Sequence, residues 1–306
     1  MTIAISAAAG PGVAGAILSV AHWPWLFAVN IPLGILVLLC GGLLPHTKGQ
    51  DRPLDNIALI ANTLMFLLLF SGADLLAREP AIGAVLLAGA GLCLAGLIWQ
   101  ERKSQAPLVP TDLFAVPAFR VAVMASMFCF AGQMLSYVAM PFYLQHTLGM
   151  AASEAGLYMM PWPAAVALIA PIAGRLANHI KTAWLCAAGG ALLATGLAIV
   201  GLWPVHSPAG SFLAGTVIAG LGFGLFQTPN NRILLLSALI ARSGAAGAMQ
   251  GTARLTGQTF GAIAMTIVFG IAPSTEAPKV ALVLAAACAG LAALISLGRA
   301  RHEVTG

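Results

Sequence analysis

Residues 7–35 read AAAGPGVAGAILSVAHWPWLFAVNIPLGI, two apolar runs separated by a short turn that is rich in tryptophan and proline. Each run approaches the roughly 20 residues that an α-helix needs to cross the hydrocarbon core of a bilayer. Gly10, Pro11 and Gly15 lie inside the first run. Proline bends a helix, and glycines let another helix approach closely. The stretch predicts two membrane helices, the first suited to a sliding interface. Alternatively, its glycines and proline only reflect how common both residues are in membrane helices.

The rest of the chain has the same apolar character. Of its 306 residues 60% are hydrophobic and 8% are charged, and the mean hydropathy is +0.94. Soluble domains carry about 25% charged residues, and a chain of this size cannot bury so much apolar surface in its own core. Runs such as IPLGILVLLCGGLL (31–44) do not alternate as barrel strands do. The fold class is therefore an all-α integral membrane protein. The net charge of +5 comes from scattered basic residues, which does not favour a nucleic-acid partner.

The chain divides into about ten runs of spanning length. The runs cover residues 2–21, 25–44, 55–76, 81–99, 118–141, 155–173, 182–203, 210–236, 244–272 and 278–298. The connections are short and contain prolines, as tight helix–helix turns do. The longest is QERKSQAPLVPTDLFAVPAF (100–119), which we interpret as a linker between domains.

The positive-inside rule tests this threading, because cytoplasmic loops carry an excess of Lys and Arg. With Met1 in the cytoplasm, only Arg78 and Lys279 of the 14 Lys and Arg residues fall on the far side, and Arg254 falls within a span. A wrong helix count would invert every later loop. We therefore predict a multi-pass protein of the inner (plasma) membrane with both termini in the cytoplasm.

No enzyme motif accompanies the apolar runs. The five cysteines lie inside those runs, and the six histidines lie in loops, at span ends or in the tail. No HxxxH pair, Walker sequence or nucleophile elbow is present, so we expect no enzyme, no metal, no cofactor and no ATP-driven pump.

The turn and the second run of the opening stretch also contain a spaced set of residues. The set is Trp23, Trp25, Phe27, Asn30, Pro32 and Gly34. A Gly-Pro helix followed by W-x-W-x-F-x-x-N-x-P-x-G resembles the fifth and sixth helices of the fourteen-helix drug/proton antiporters of the major facilitator superfamily. Downstream, PIAGRLANHIKT (171–182) is similar to a degraded copy of that superfamily's loop motif, with Asn178 in the place of the acidic residue.

The resemblance implies an architecture for the whole chain. Residues 1–44 would be the last two helices of the N-terminal bundle, 45–117 an inserted helix pair with a cytoplasmic linker, and 118–306 the six-helix C-terminal bundle. The first four helices of the family would then be absent, together with the embedded acidic residue that couples transport to protons.

The resemblance also implies a function and a site. It implies secondary export of small molecules, such as hydrophobic or cationic drugs, in exchange for protons, by two bundles that rock around a midplane cavity. The helices that would line this cavity carry Phe128, Gln133, Tyr137, Phe226, Gln227 and Asn230. Gly10, Pro11 and Gly15 would form the antiporter motif at the bundle interface.

Two charged residues are candidates for coupling. Asp74 is the one carboxylate predicted to lie appreciably within the membrane, and it has Arg78 one turn away, so it is either half of a structural ion pair or a functional group. Arg254 lies deep in its run between Gln250 and Gln258 on one face, near Gly247, Gly251, Gly257 and Gly261. Functional coupling and structural bonding between helices both remain open for Arg254.

A rival interpretation treats the chain as a membrane-inserted remnant without transport activity. A related possibility is a partial chain that needs a partner to supply the missing helices. Efflux from cells that express the chain alone distinguishes both from a working exporter.

Overall fold

The computed structural model describes Ile17, His22 and residues 24–43, 56–76, 79–101, 114–202, 209–236, 243–273 and 276–302. Within these ranges the regular structure is entirely helical. The α-helices are α1 (Trp25–Ala28), α2 (Asn30–Cys40), α3 (Asn56–Leu75), α4 (Pro80–Glu101), α5 (Pro117–Phe142), α6 (Ala152–Met159), α7 (Pro161–Leu176), α8 (Thr182–Leu202), α9 (Ala209–Leu236), α10 (Ser243–Ile271) and α11 (Ala277–His302). The all-α membrane fold is confirmed.

Seven described segments are long and apolar enough to cross a bilayer. They are Asn56–Leu75, Pro80–Gln100, Pro117–Thr147, Ala152–Leu176, Thr182–Leu202, Gly210–Leu236 and Ala277–Arg299. Helix α10 has 29 residues, which is long enough, but it is not among the seven. Its sequence contains Arg254, Gln250 and Gln258, which lower its hydropathy. The predicted run 2–21 lies outside the described residues except for Ile17.

Prolines explain where two predicted runs are interrupted. The run 25–44 is divided at Val29 between α1 and α2, because Pro32 has no N–H to donate to the carbonyl of Ala28. The run 155–173 is divided at Met160 between α6 and α7, where Pro161 begins the second helix. Helix α5 continues into a π-helical turn at Tyr143–Thr147, and Gly149 follows with a φ of 69°. That positive φ favours glycine and ends the segment.

Helices α5, α8, α9 and α11 build the main core, and α7 and α10 pack against α9 and α5 respectively. Small residues make these approaches close. A Cβ added at Gly196 of α8 would lie 2.6 Å from the carbonyl oxygen of Gly215 on α9. A Cβ at Gly257 of α10 would lie 2.5 Å from the carbonyl of Met127 on α5. Such small-residue contacts commonly hold membrane helices together, because lipid is as apolar as the helices and the hydrophobic effect does not favour their association.

Helices α3 and α4 form a separate antiparallel pair. A Cβ at Gly83 of α4 would lie 2.6 Å from the Cα of Leu76, so the two backbones touch at this end of the pair. Helix α3 also contacts α10, where Leu69 and Phe70 lie near Phe260. The domain boundaries at 44 and 117 stay a prediction.

The outer surface of the described helices is strongly apolar. All residues of α2 are exposed, and Leu38 and Ile271 are each 81% exposed. Exposed leucine and isoleucine on this scale are expected where the surrounding solvent is lipid.

Candidate functional site

A cavity of about 370 Å³ lies between helices α5, α7, α9 and α10. This volume falls in the range of small-molecule sites. Each helix contributes residues that recur one turn apart. The lining residues are Phe130, Gln133 and Tyr137 from α5, Trp162, Pro163, Val166 and Ala170 from α7, Phe223, Gln227, Thr228 and Asn231 from α9, and Arg254 and Gln258 from α10. Spacings of three and four residues bring side chains onto one helix face, which is why three helices with scattered polar residues form a common lining.

Four aromatic side chains form one continuous wall of the cavity. The ring centroids of Tyr137 and Trp162 are 5.5 Å apart with an interplanar angle of 76°. Trp162 lies 6.3 Å from Phe223, and Phe223 lies 5.7 Å from Phe130. These edge-to-face and tilted contacts are the preferred arrangements of aromatic pairs. They join α5, α7 and α9 into a rigid apolar surface.

Polar atoms without partners face the same space. Gln133 Oε1, Trp162 Nε1 and Asn231 Oδ1 are buried and have no hydrogen-bond partner among the described residues. Trp162 is 2% exposed. A buried polar atom without a partner costs about 1–3 kcal/mol, so such atoms are rare unless a ligand or water satisfies them. Two acceptor atoms and one donor atom are therefore available to form hydrogen bonds with a molecule in the cavity.

Arg254 supplies the formal charge of the lining. Its side chain is exposed, and no described residue gives it a hydrogen bond or an ion pair. No aspartate or glutamate is among the lining residues. A charge at the bilayer centre costs about 2.5–3.5 kcal/mol on insertion scales, so a charged residue at this depth faces a cavity or a partner. The cavity thus has an electropositive side on α10, in addition to the aromatic wall.

The structure brings together four of the predicted site residues, which are Gln133, Tyr137, Gln227 and Arg254. Phe128 lies elsewhere, because it points from another face of α5 into an apolar cavity of about 420 Å³ beside α10 and α11. That second cavity also contacts Phe260 and Cys288.

Phe226 and Asn230 also lie outside the cavity, and both are 1% exposed. Phe226 faces α8, where its backbone touches Gly189. Asn230 Nδ2 donates to Ser126 Oγ at 2.6 Å and to the carbonyl of Ala122 at 3.3 Å. Both residues therefore pack α9 against its neighbours and are not among the residues that line this cavity, and their assignment to a substrate site stays a prediction.

The remaining predicted residues lie away from this site. Gly10, Pro11, Gly15 and Arg78 are outside the described residues. Asp74 is exposed near the end of α3 and does not line the cavity. Asn178 follows α7, and its Oδ1 accepts a hydrogen bond of 2.6 Å from Arg232 Nη1 of α9. No group of three or more potential metal ligands occurs in the described ranges.

Sequence reasoning missed several lining residues, some of which had a usable signal. Phe130 precedes Gln133 by three positions and Phe223 precedes Gln227 by four, so helical spacing alone places them on the same faces. Asn231 directly follows Asn230, and successive residues point about 100° apart around a helix. Val166 and Ala170 are apolar residues of an apolar helix and carry no such signal.

Comparison with known proteins adds family information. The sequence matches the Major Facilitator Superfamily over residues 1–266. It is 37% identical to the uncharacterized transporter YebQ of Escherichia coli (strain K12), over 94% of this chain and 66% of that protein. It is 28% identical to the riboflavin transporter RibZ of Clostridioides difficile (strain 630), over 82% of this chain and 55% of that protein.

A third relative is named for drug export. The chain is 27% identical to the multidrug efflux pump LfrA of Mycolicibacterium smegmatis, over 86% of this chain and 53% of that protein. The chain thus spans between about half and two thirds of the length of these three relatives. With a match that covers most of its length and a bundle of apolar helices around a polar cavity, the chain belongs to the Major Facilitator Superfamily.

Proposed function

We propose that this chain takes part in secondary active transport of amphipathic small molecules across the membrane, as a proton-coupled exporter. The cavity between α5, α7, α9 and α10 is the observation that carries the proposal, because unpaired polar atoms converge there opposite an aromatic wall. A pocket with apolar walls and a few oriented polar groups suits a small amphipathic ligand.

The mechanism follows from the arrangement of the helices. The cavity residues come from four helices of the predicted C-terminal bundle, and rocking of that bundle against an N-terminal bundle around a midplane site would open the cavity to each side of the membrane in turn. The predicted interface residues Gly10, Pro11 and Gly15 would act in that sliding contact. Arg254 in the cavity and Asp74 on α3 are the candidates for coupling substrate movement to protons.

The direction of transport and the drug substrates rest on the sequence resemblance and on the multidrug efflux pump LfrA. RibZ, a riboflavin transporter, supports transport of a different compound class by a similar sequence. An aromatic ring system with polar groups is a chemistry that the cavity accommodates in either case.

The experiment is efflux of a preloaded fluorescent dye from cells that express the full chain. We expect faster efflux than in vector controls, and loss of that efflux when a protonophore collapses the proton gradient. Gln133→Leu and Asn231→Leu should each slow efflux several-fold, because each removes an unpaired acceptor in the cavity. Gln250→Leu is the matched control, since Gln250 lies on α10 outside the cavity lining.

Efflux equal to the vector control would contradict the proposal. It would favour the rival interpretation, a transport-inactive chain or one that needs a partner. Efflux that resists the protonophore would contradict proton coupling alone.

A further inference from the structure

We infer that the cavity selects planar aromatic carboxylates, with the carboxylate on Arg254 and the ring against the aromatic wall. This inference rests on the proposed function. It replaces the cationic drugs of the predicted substrate range with anionic compounds.

The charge of the lining is the first reason. Arg254 is the one ionised side chain among the lining residues, and no carboxylate lies there to receive a cation. In a low-dielectric cavity a fixed positive charge attracts an anion and repels a cation more strongly than it does in water. The described lining therefore favours a negatively charged substrate.

The position of Arg254 is the second reason. It lies eleven residues after Ser243, the first residue of α10, which corresponds to ~17 Å along the helix axis. With α10 crossing the bilayer as the sequence predicts, Arg254 falls within a hydrocarbon layer of about 30 Å. A guanidinium has five N–H donors in a planar fork that matches a carboxylate. None of the five has a partner among the described residues, so the fork is available to a ligand.

The aromatic wall is the third reason. The rings of Tyr137, Trp162, Phe223 and Phe130 follow one another at centroid distances of 5.5, 6.3 and 5.7 Å. They present ring faces and edges that a planar aromatic ligand can join with the same geometry. Aliphatic acids would gain only nonspecific apolar contact there.

The unpaired atoms specify one more property of the ligand. The side-chain amides of Gln133 and Asn231, whose oxygens have no partner, can accept a hydrogen bond from an O–H or N–H group on the ligand. Trp162 Nε1 is a donor and requires an acceptor. An aromatic carboxylate that also bears a hydroxyl or an amino group satisfies both requirements.

The test compares three probes with one ring system. They are 6-hydroxy-2-naphthoate, its uncharged carboxamide and the corresponding naphthylmethylammonium cation. Binding to the full chain in nanodiscs is measured at neutral pH by quenching of tryptophan fluorescence. We expect the anion to bind about tenfold to a hundredfold more tightly than the amide, as for a hydrogen bond to a charged group. The cation should bind most weakly.

Variants of Arg254 test whether this residue causes the tighter binding of the anion than of the amide. Arg254→Gln should remove the preference for the anion over the amide, and Arg254→Lys should keep part of it. Thermal unfolding of both variants should match the unaltered chain, because the exposed Arg254 side chain has no hydrogen bond or ion pair with a described residue. Equilibrium binding does not require proton coupling, so a coupling role alone would leave the preference unchanged.

Three outcomes would overturn the inference. Tighter binding of the cation, or an anion preference that survives in Arg254→Gln, would contradict it while leaving the transport proposal intact. Binding of none of the probes would also contradict it, and dye efflux in the transport experiment then shows separately whether the transport proposal stands.

A further pair of variants locates the probes. Loss of binding in Asn231→Leu, with retention in Gln250→Leu, would place the probes in this cavity.

Discussion

Asn230 and Asn231 are neighbours in the sequence, yet they serve different parts of the structure. Asn230 is buried against α5, where it donates to Ser126 Oγ and to the carbonyl of Ala122. Asn231 lines the cavity, and the Oδ1 atoms of both residues have no hydrogen-bond partner among the described residues. One residue step turns a side chain about 100° around a helix, which is enough to separate helix packing from ligand contact.

Because only Asn231 lines the cavity, we expect alanine at position 230 to affect stability and alanine at position 231 to affect substrate binding. Asn230→Ala should lower the free energy of unfolding by about 0.5–2 kcal/mol, the usual contribution of a hydrogen bond between membrane helices. Asn231→Ala should leave stability unchanged and weaken substrate binding. Thermal unfolding in detergent and probe binding measure the two effects. Equal destabilisation by both variants would contradict the assignment.

Trp162 offers a second test at the residue scale. Trp162→Phe keeps an aromatic ring beside Tyr137 and Phe223 but removes the indole N–H, which has no partner. We expect unchanged or higher thermal stability, because an unsatisfied buried donor is lost, and several-fold weaker binding of acceptor-bearing ligands. Trp184→Phe on α8 is the control, since Trp184 is 54% exposed and outside the cavity lining. Lower stability with unchanged binding would count against a ligand-binding role.

At the scale of the elements, glycines determine which helices pack together. A Cβ at Gly222 of α9 would collide with the backbone nitrogen of Leu193 on α8. Gly189 and Gly196 of α8 make similar approaches to α9. The glycines of α10 are of two kinds. A Cβ added at Gly257 or Gly261 would meet the backbone of α5, whereas a Cβ added at Gly247 or Gly251 would meet nothing within 4 Å.

Gly222→Ala should therefore separate α8 from α9. We expect destabilisation of about 1–3 kcal/mol, as for overpacking of a tight core, and a lower midpoint of thermal unfolding. Gly290→Ala on α11 is the matched control, because a Cβ at Gly290 meets nothing within 4 Å and alanine favours the helix. If both variants unfold at the same temperature, the close approach does not hold the two helices together.

At the scale of the whole molecule, the number of crossings determines which connections share a side of the membrane. The segment Ala152–Leu176 is long and apolar enough to cross once, which predicts that Ser153 and Asn178 lie on opposite sides. The distribution of Lys and Arg predicts that Asn178 is cytoplasmic and Ser153 is outside. The overall apolar surface requires lipid around the bundle whichever orientation is correct.

Single cysteines test this orientation. In a chain whose five native cysteines are replaced, Ser153→Cys should react with a membrane-impermeant maleimide in intact cells. Asn178→Cys should react only after the membrane is permeabilised. Equal labelling of both from outside would refute the threading, and the reverse pattern would refute the cytoplasmic placement of the termini.

Composition and helical periodicity alone determined that this protein is a bundle of membrane helices, because removal of so much apolar surface from water requires lipid. The resemblance to the antiporter family implied Gln133, Tyr137 and Gln227 as cavity residues, and the cost of a charge within an apolar helix indicated Arg254. Only the tertiary structure decided that Asn230 and Phe226 pack between helices while Asn231, Phe130 and Phe223 face the cavity. The physical reason is helix rotation: a sequence specifies which residues share a face, but glycine contacts with neighbouring helices determine where that face points.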